Sequence, residues 1–267
     1  MNSEFNHKTV WITGASSGIG EALSYAFSFR GANVIVSGRR MEELERVQLS
    51  CKYPDRVKIL PLDLSDASSL ENKTAEAIQC FGQIDILIHN GGISQRSLVI
   101  ETPIEVHRKL MEVDYFSYVA ISKAILPHFI SRNAGHFVVT SSVMGKIGTP
   151  MRSAYAAAKH ALHGFFDCLR AEVSAQNIKV TILTPGYIKT NVALNALTKD
   201  GTRLGRQSQN ISNGLSPGKA AVQILKAISR GRYESYIGKF GGEKISLWLM
   251  RFAPGMLIRK APSLKPK

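Results

Sequence analysis

With 267 residues, 44% of them apolar and 20% charged, the chain has the profile of a globular domain with a substantial core, which excludes a disordered, collagen-like or disulfide-framework protein. Three cysteines, Cys51, Cys80 and Cys168, form no CxxC pair and suit a reducing compartment. The formal net charge of +14 means that some surface attracts anions.

Short runs rich in Val and Ile recur at residues 9–13, 33–37, 57–62, 84–89, 136–141 and 179–184, with a weaker one at 236–238. Their length and composition predict strands, and their near-continuous apolar character predicts a parallel sheet covered on both faces. The stretches between them, such as 21–30, 65–81 and 103–131, are long enough for crossover helices. The alternation predicts an α/β fold, a doubly wound (Rossmann) parallel sheet of about seven strands in a single domain. No apolar run is long enough to span a bilayer, and the opening reads straight into a strand without a signal-peptide pattern. A cytoplasmic location is therefore expected.

In chain order, the first chemistry-bearing motif is Thr13-Gly14-Ala15-Ser16-Ser17-Gly18-Ile19-Gly20, between a strand and a helical stretch. Glycines so placed permit a tight turn and let backbone N–H groups approach a pyrophosphate at the helix N-terminus. The second strand ends in Ser37-Gly38-Arg39-Arg40, with no acid to accept bonds from a ribose 2′-hydroxyl. Its two guanidinium groups suit a 2′-phosphate, so NADP(H) is expected over NAD. The alternative is that both arginines simply begin a solvated helix with Glu42, Glu43 and Glu45. Further on, Val139-Thr140-Ser141-Ser142 closes a strand, and Tyr155 and Lys159 stand one turn apart on a helix face. A nearby ammonium stabilises a phenolate, so this pair has the makings of an acid–base unit.

Taken together, TGASSGIG, Asn90-Gly91-Gly92, the Ser-Ser pair, YxxxK and Pro185-Gly186, in this order and spacing, closely resemble the single-domain short-chain dehydrogenase/reductase family. The resemblance implies an oxidoreductase that moves a hydride between a nicotinamide and a ketone or secondary alcohol. Tyr155 would be the general acid or base, Lys159 would hold the nicotinamide ribose and favour the phenolate, and Ser142 would hydrogen-bond the substrate oxygen. Gly14, Ser16, Ser17, Gly18, Ile19 and Gly20 would line the pyrophosphate site, and Arg39 with Arg40 would select the 2′-phosphate. Asp63 would bond the adenine, with Leu64 beside it, and Asn90 and Gly91 would pack against the cofactor. Pro185 and Gly186 would lead into Ile188 and Thr190, which would meet the carboxamide and a nearby phosphate. The same resemblance implies a homodimer or homotetramer paired through helices near 103–131 and 152–175.

Two departures stand out. Gly91 replaces the family's usual Ala, and Asp114 stands where a fourth catalytic residue is usually Asn. An ionised Asp only accepts hydrogen bonds. The expectation is that Asp114 supports a water bridge to Lys159, opposes phenolate formation and moves the pH optimum upward. Asp114 is also the one feature that favours an alternative reading, a non-catalytic NADP-binding regulatory protein.

The implied organisation is a dinucleotide-binding core over 1–186, a polar substrate lid over 187–217 and a basic, apolar C-terminal extension over 239–267. The segment 191–201, expected to be mobile, and Phe252-Ala253-Pro254-Gly255 resemble a subgroup related to the dehydrogenase/reductase member-7 proteins, which implies a lipid-like or steroid-like carbonyl substrate. The extension holds seven Lys or Arg and one acid, Glu243, among large apolar residues. Both peripheral contact with a membrane through 243–267 and packing against the protein are open to it. The histidines show no metal-ligand spacing, with His160 and His163 read as packing residues and His89 given no role, and no motif points to nucleic acid.

Overall fold

Side-chain alternation along each strand divides the apolar residues between two cores, one on either face of a sheet. In the first strand Val10 and Ile12 enter one core and Trp11 the other; in the second, Val34 and Val36 part from Ile35 in the same way. The computed structural model describes residues 4–264, so Lys265 and Lys267 of the basic extension lie outside the described residues. The elements in chain order are β1 (Thr9–Thr13), α1 (Gly18–Phe29), β2 (Asn33–Gly38), α2 (Met41–Leu49), β3 (Val57–Pro61) and α3 (Leu70–Phe81). There follow β4 (Ile86–His89), α4 (Ile104–Met111), α5 (Ser117–Ser131), β5 (Gly135–Thr140), α6 (Ser153–Glu172) and β6 (Ile178–Pro185). The chain closes with α7 (Gln209–Ser212), α8 (Pro217–Ser229), β7 (Glu234–Ile237), α9 (Gly242–Phe252) and α10 (Pro254–Lys260).

Seven parallel strands pair in the order β3-β2-β1-β4-β5-β6-β7. Helices α1, α2 and α8 cover one face, and α3, α5 and α6 the other. The strand order reverses between β1 and β4, so the connections leaving their carboxyl ends diverge and open a crevice there. This is the doubly wound single domain expected from the sequence. Among the described residues no helix is long and apolar enough to cross a membrane.

The structure departs from the sequence reading at three places. The stretch 103–131 is not one helix: a π-helical turn at Glu112–Phe116 separates α4 from α5. Such a widened turn, like others found at functional sites, re-aims a side chain, and Asp114 lies within it. The segment 187–217 is not a free excursion. Leu197 bridges to Gln95 and Arg203, and Ala193 and Ala196 are fully buried. The second dimer helix expected at 152–175 stops at Glu172.

Two histidines are buried in the sheet. His89 in β4 stacks on Tyr118 at 4.6 Å and hydrogen-bonds the Ser122 hydroxyl at 2.9 Å. His136 in β5 hydrogen-bonds the Thr181 hydroxyl at 2.8 Å. Burial pulls both down to about 3, so the folded state keeps them neutral while the unfolded chain protonates them below its ordinary histidine value. Folding stability from these groups is therefore complete above about pH 6.5 and declines as pH falls from there toward 3. Each is expected to contribute a loss of roughly 2 kcal/mol by pH 5. Thermal unfolding at pH 7 and pH 5 should show a clearly lower Tm at the acid value; equal Tm values would contradict neutral burial of the two rings.

Candidate active site

The turn from β1 to α1 is shaped for close approach by a ligand. Gly14 and Gly18 have φ of +66° and +63°, and a Cβ on Gly14 would lie 2.4 Å from the Cα of Gly91. Asn90 clamps this turn, its side-chain amide donating to the carbonyls of Thr13 and Gly14 at 3.2 Å each. Ser17 precedes α1 at the capping position and its hydroxyl makes no capping hydrogen bond, whereas Ser216 before α8 accepts from the Lys219 N–H. The first N–H groups of α1 are thus left for an anion. A Cβ on Gly91 would meet Leu64 Cδ1 at 2.7 Å and Gly14 N at 3.2 Å, so an alanine there would require the Leu64 side chain to shift.

One cavity of about 600 Å³ runs from this turn along the carboxyl ends of β1, β4, β5 and β6. Every residue expected from the sequence to bind cofactor or carry catalysis lines it, with the exception of Gly20. Gly20 is buried beneath the turn, where a Cβ would lie 2.4 Å from the carbonyl oxygen of Gly14. Its place is to seat α1 against the loop, and the expectation that it lines the pyrophosphate site is corrected accordingly. Arg39 and Arg40 border the cavity at the end of β2, and Arg40 donates to the Ser16 hydroxyl at 3.0 Å. The Asp63 carboxylate accepts from the N–H and the hydroxyl of Ser65 at 2.9 and 2.7 Å, which sets its orientation at the rim.

At the centre of the cavity wall, β5 delivers Ser142 and α6 presents Tyr155 and Lys159. Ser142 is extended and its hydroxyl oxygen accepts from the Met144 N–H at 3.1 Å, leaving its own hydrogen to be donated elsewhere. Ser141 points the other way, its hydroxyl lying 3.1 Å from both the Lys159 carbonyl and His163 Nε2. The structure thus separates the two serines: Ser142 lines the cavity, and Ser141 also ties β5 to α6. His163, held down to about 4 by burial, is the neutral partner in that tie. The Tyr155 ring packs against Val106, Leu110, Ala154 and Leu197.

Lys159 is 4% exposed and its ammonium lies 5.7 Å from the centre of the Tyr155 ring and 5.4 Å from that of Tyr118. It donates to the Thr140 carbonyl at 3.2 Å and sits 3.2 Å from the carboxylate of Asp114, which is fully buried. The other Asp114 oxygen accepts the Ile93 N–H at 2.8 Å. The water bridge expected between Asp114 and Lys159 is replaced by a direct ion pair, because the π-helical turn brings the carboxylate up to the ammonium. Burial alone would favour the neutral amine, but the Asp114 charge outweighs it and raises Lys159 above its ordinary value. Burial in turn raises the Asp114 carboxyl, with Lys159 and the Ile93 N–H acting against that rise.

Sequence reasoning missed several residues in the same wall. Arg152 donates to the Ser94 hydroxyl at 2.6 Å and lies 5.9 Å from the Tyr155 ring centre. Glu243 and Leu264 reach the cavity from the C-terminal extension. Arg152 could have been suspected from its place three residues before Tyr155. Nothing local in the sequence pairs Glu243 with Tyr187, whose N–H it accepts at 2.9 Å across 56 positions.

A nucleotide-binding turn, an open helix start and a Ser–Tyr–Lys wall in one crevice define the class: the chain belongs to the short-chain dehydrogenase family, whose family model matches residues 8–200. Within that family its similarity runs to member 7. It is 45% identical over 257 residues to the dehydrogenase/reductase SDR family protein 7-like of Anopheles gambiae, covering 94% of this chain and 81% of the relative. It is 39% identical over 255 residues to dehydrogenase/reductase SDR family member 7B of Mus musculus, covering 94% and 79%. A solved short-chain dehydrogenase from Streptomyces avermitilis superposes with a TM-score of 0.82 at 29% identity, covering 95% of this chain and 96% of that one.

Proposed function

We propose that this oxidoreductase uses NADP(H) to interconvert a ketone and a secondary alcohol, with Tyr155 as the proton donor in reduction and acceptor in oxidation. The observation that carries the reading is the convergence of Ser142, Tyr155 and Lys159 on the cavity that the glycine turn and Arg39–Arg40 open at its other end. The residues fit the cofactor: Gly14 and Gly18 let the turn pack tightly on Gly91 and Thr190, the free N–H groups of α1 would bond a pyrophosphate, and Asn90, Gly91, Ile188 and Thr190 line the cavity that would hold the rest. When bound, the nicotinamide supplies or accepts the hydride. The Ser142 hydroxyl donates to the substrate oxygen and orients it. Tyr155 delivers its phenolic proton to that oxygen as charge develops there. Lys159, kept cationic by Asp114, favours the phenolate that remains.

Asp114 supports catalysis in this reading, since it holds Lys159 in place and leaves the Ser142–Tyr155–Lys159 wall intact. The substrate is a small molecule, lipid-like or steroid-like, and the lid over 187–217 shapes its pocket. A homodimer or homotetramer with a cytoplasmic active site completes the reading.

Cofactor choice is tested by comparing NADPH and NADH. No carboxylate closes β2, and both guanidinium groups border the cavity. The double variant Arg39→Ala/Arg40→Ala is expected to raise KM for NADPH by about tenfold or more, the scale of one lost charge-assisted contact, with KM for NADH nearly unchanged. No change for either cofactor would assign the arginines to the solvated face of α2, and an equal rise for both would assign them to a contact that does not read the 2′-phosphate.

A further inference from the structure

The C-terminal extension leaves an apolar face uncovered. Leu257 is buried against Val143 and Ile147, with Leu247 and Leu249 packed beside them, and these contacts fasten α9 and α10 to the turn that follows Ser142. On the opposite side, Ile245, Trp248 and Phe252 fall at one-turn and two-turn spacings along α9 and point outward. Trp248 is 60% exposed, Phe252 67% and, on α10, Ile258 63%. The Trp248 and Phe252 rings touch at 5.2 Å, which makes them one continuous patch. Lys239, Lys244, Arg251, Arg259 and Lys260 belong to the same segment, and the Lys244 ammonium stands 5.3 Å from the exposed Phe240 ring. The one acid of the extension, Glu243, is turned inward onto the Tyr187 N–H and the Tyr236 hydroxyl, so it does not offset these cations on the outer side.

We propose that this face docks on an anionic lipid surface, with the aromatic patch inserted at the headgroup level and the Lys and Arg side chains on the phosphates. Charge decides between the occupants. A two-fold contact of this face with a second copy would set the five described cations of the segment on each copy against five more, whereas an anionic bilayer complements them. Tryptophan and phenylalanine beside lysine and arginine are the side chains that hold a helix in the interfacial plane. Glu243 and Leu264 of the same extension line the cavity, so docking would hold part of the cavity wall near the bilayer. A membrane-resident carbonyl lipid would then have a short route to Tyr155. That last step rests on the oxidoreductase reading, and the docking itself does not.

The test uses the full chain with vesicles of phosphatidylcholine alone or mixed with phosphatidylserine. The wild type is expected to float with the mixed vesicles, weakly with the neutral ones, and to be released by salt. Its intrinsic fluorescence should shift to the blue on binding. The chain has two tryptophans and Trp11 is already fully buried, so the shift reports on Trp248. Trp248→Glu/Phe252→Glu should cut flotation by about tenfold or more while NADPH affinity and Tm stay at wild-type values. Lys244→Glu/Arg251→Glu, which leaves the aromatic patch in place, should do the same should the first variant fold poorly. Absence of wild-type flotation, or flotation equal in both variants, would overturn the proposal. So would a wild-type oligomer that ignores vesicles and dissociates on Trp248→Glu/Phe252→Glu, since a second copy would then own the face. Flotation as expected, with no NADPH-dependent turnover of any carbonyl, would count against the proposed activity and leave the docking standing.

Discussion

Tyr155→Phe is expected to lower kcat for ketone reduction by about 10³-fold, within the range for loss of a positioned acid, while NADPH affinity stays within about twofold. Only the hydroxyl is removed. The ring keeps its contacts with Val106, Leu110, Ala154 and Leu197, so the fold and the cavity wall persist. Ser142 can still orient the substrate oxygen, but the developing charge no longer receives a proton at that position. Single-turnover reduction and NADPH titration measured on one preparation separate the two effects. A variant that loses binding and turnover together would place Tyr155 in cofactor binding instead of proton transfer.

The second large effect concerns the ion pair beneath that tyrosine. Asp114→Ala removes the partner of a buried ammonium, and breaking such a pair costs about 3–5 kcal/mol because the remaining charge is left uncompensated. A drop in Tm of roughly 10 °C is expected from a loss of that size. Asp114→Asn behaves differently. Its amide oxygen can still accept the Ile93 N–H, so the turn is retained, but the negative charge 3.2 Å from Lys159 is gone. While Lys159 stays protonated, its field on the phenol is no longer offset by the carboxylate and the basic form of the acid–base unit is favoured at lower pH, although burial without Asp114 also lowers Lys159 itself. The pH–rate profile for alcohol oxidation is therefore expected to move toward lower pH in Asp114→Asn, with a smaller loss of stability than in Asp114→Ala. Superimposed profiles for wild type and Asp114→Asn would show that the carboxylate does not tune proton transfer.

Much of this was legible in the sequence because it depends on local rules. A strand buried on both faces must be apolar throughout, so β1, β2, β4, β5 and β6 announced themselves and the sheet followed from their alternation with helices. The glycine turn and the Tyr155–Lys159 spacing are local as well, and all but Gly20 of the residues drawn from them meet in one cavity. What escaped depends on distant contacts. Nothing in Glu112–Phe116 marks a π-helical turn, and the direct Asp114–Lys159 pair exists only because that turn faces α6 across the cavity. Gly20 has the residue type of a lining glycine, yet packing against the Gly14 carbonyl is what requires it. Segment 187–217 looked untethered because its anchors, Ser94 and Gln95, lie a hundred residues earlier; Leu197 N–H donates to the Ser94 carbonyl at 2.7 Å. Glu243 and Leu264 reach the site for the same reason, through the docking of Leu257 onto Val143 and Ile147.

Passage of a hydride from NADPH to a carbonyl carbon in this cavity, with Tyr155 supplying the proton, is tested most directly by following the hydride itself. NADPH deuterated at the transferable C4 position would be incubated with a panel of ketones, steroids and keto lipids presented in vesicles, and the products analysed by mass spectrometry. The expected product is an alcohol carrying deuterium on its carbinol carbon from the wild type, and almost none from Tyr155→Phe. Tight NADPH binding with no labelled alcohol from any member of the panel, or label transfer undiminished in Tyr155→Phe, would contradict this assignment of the site.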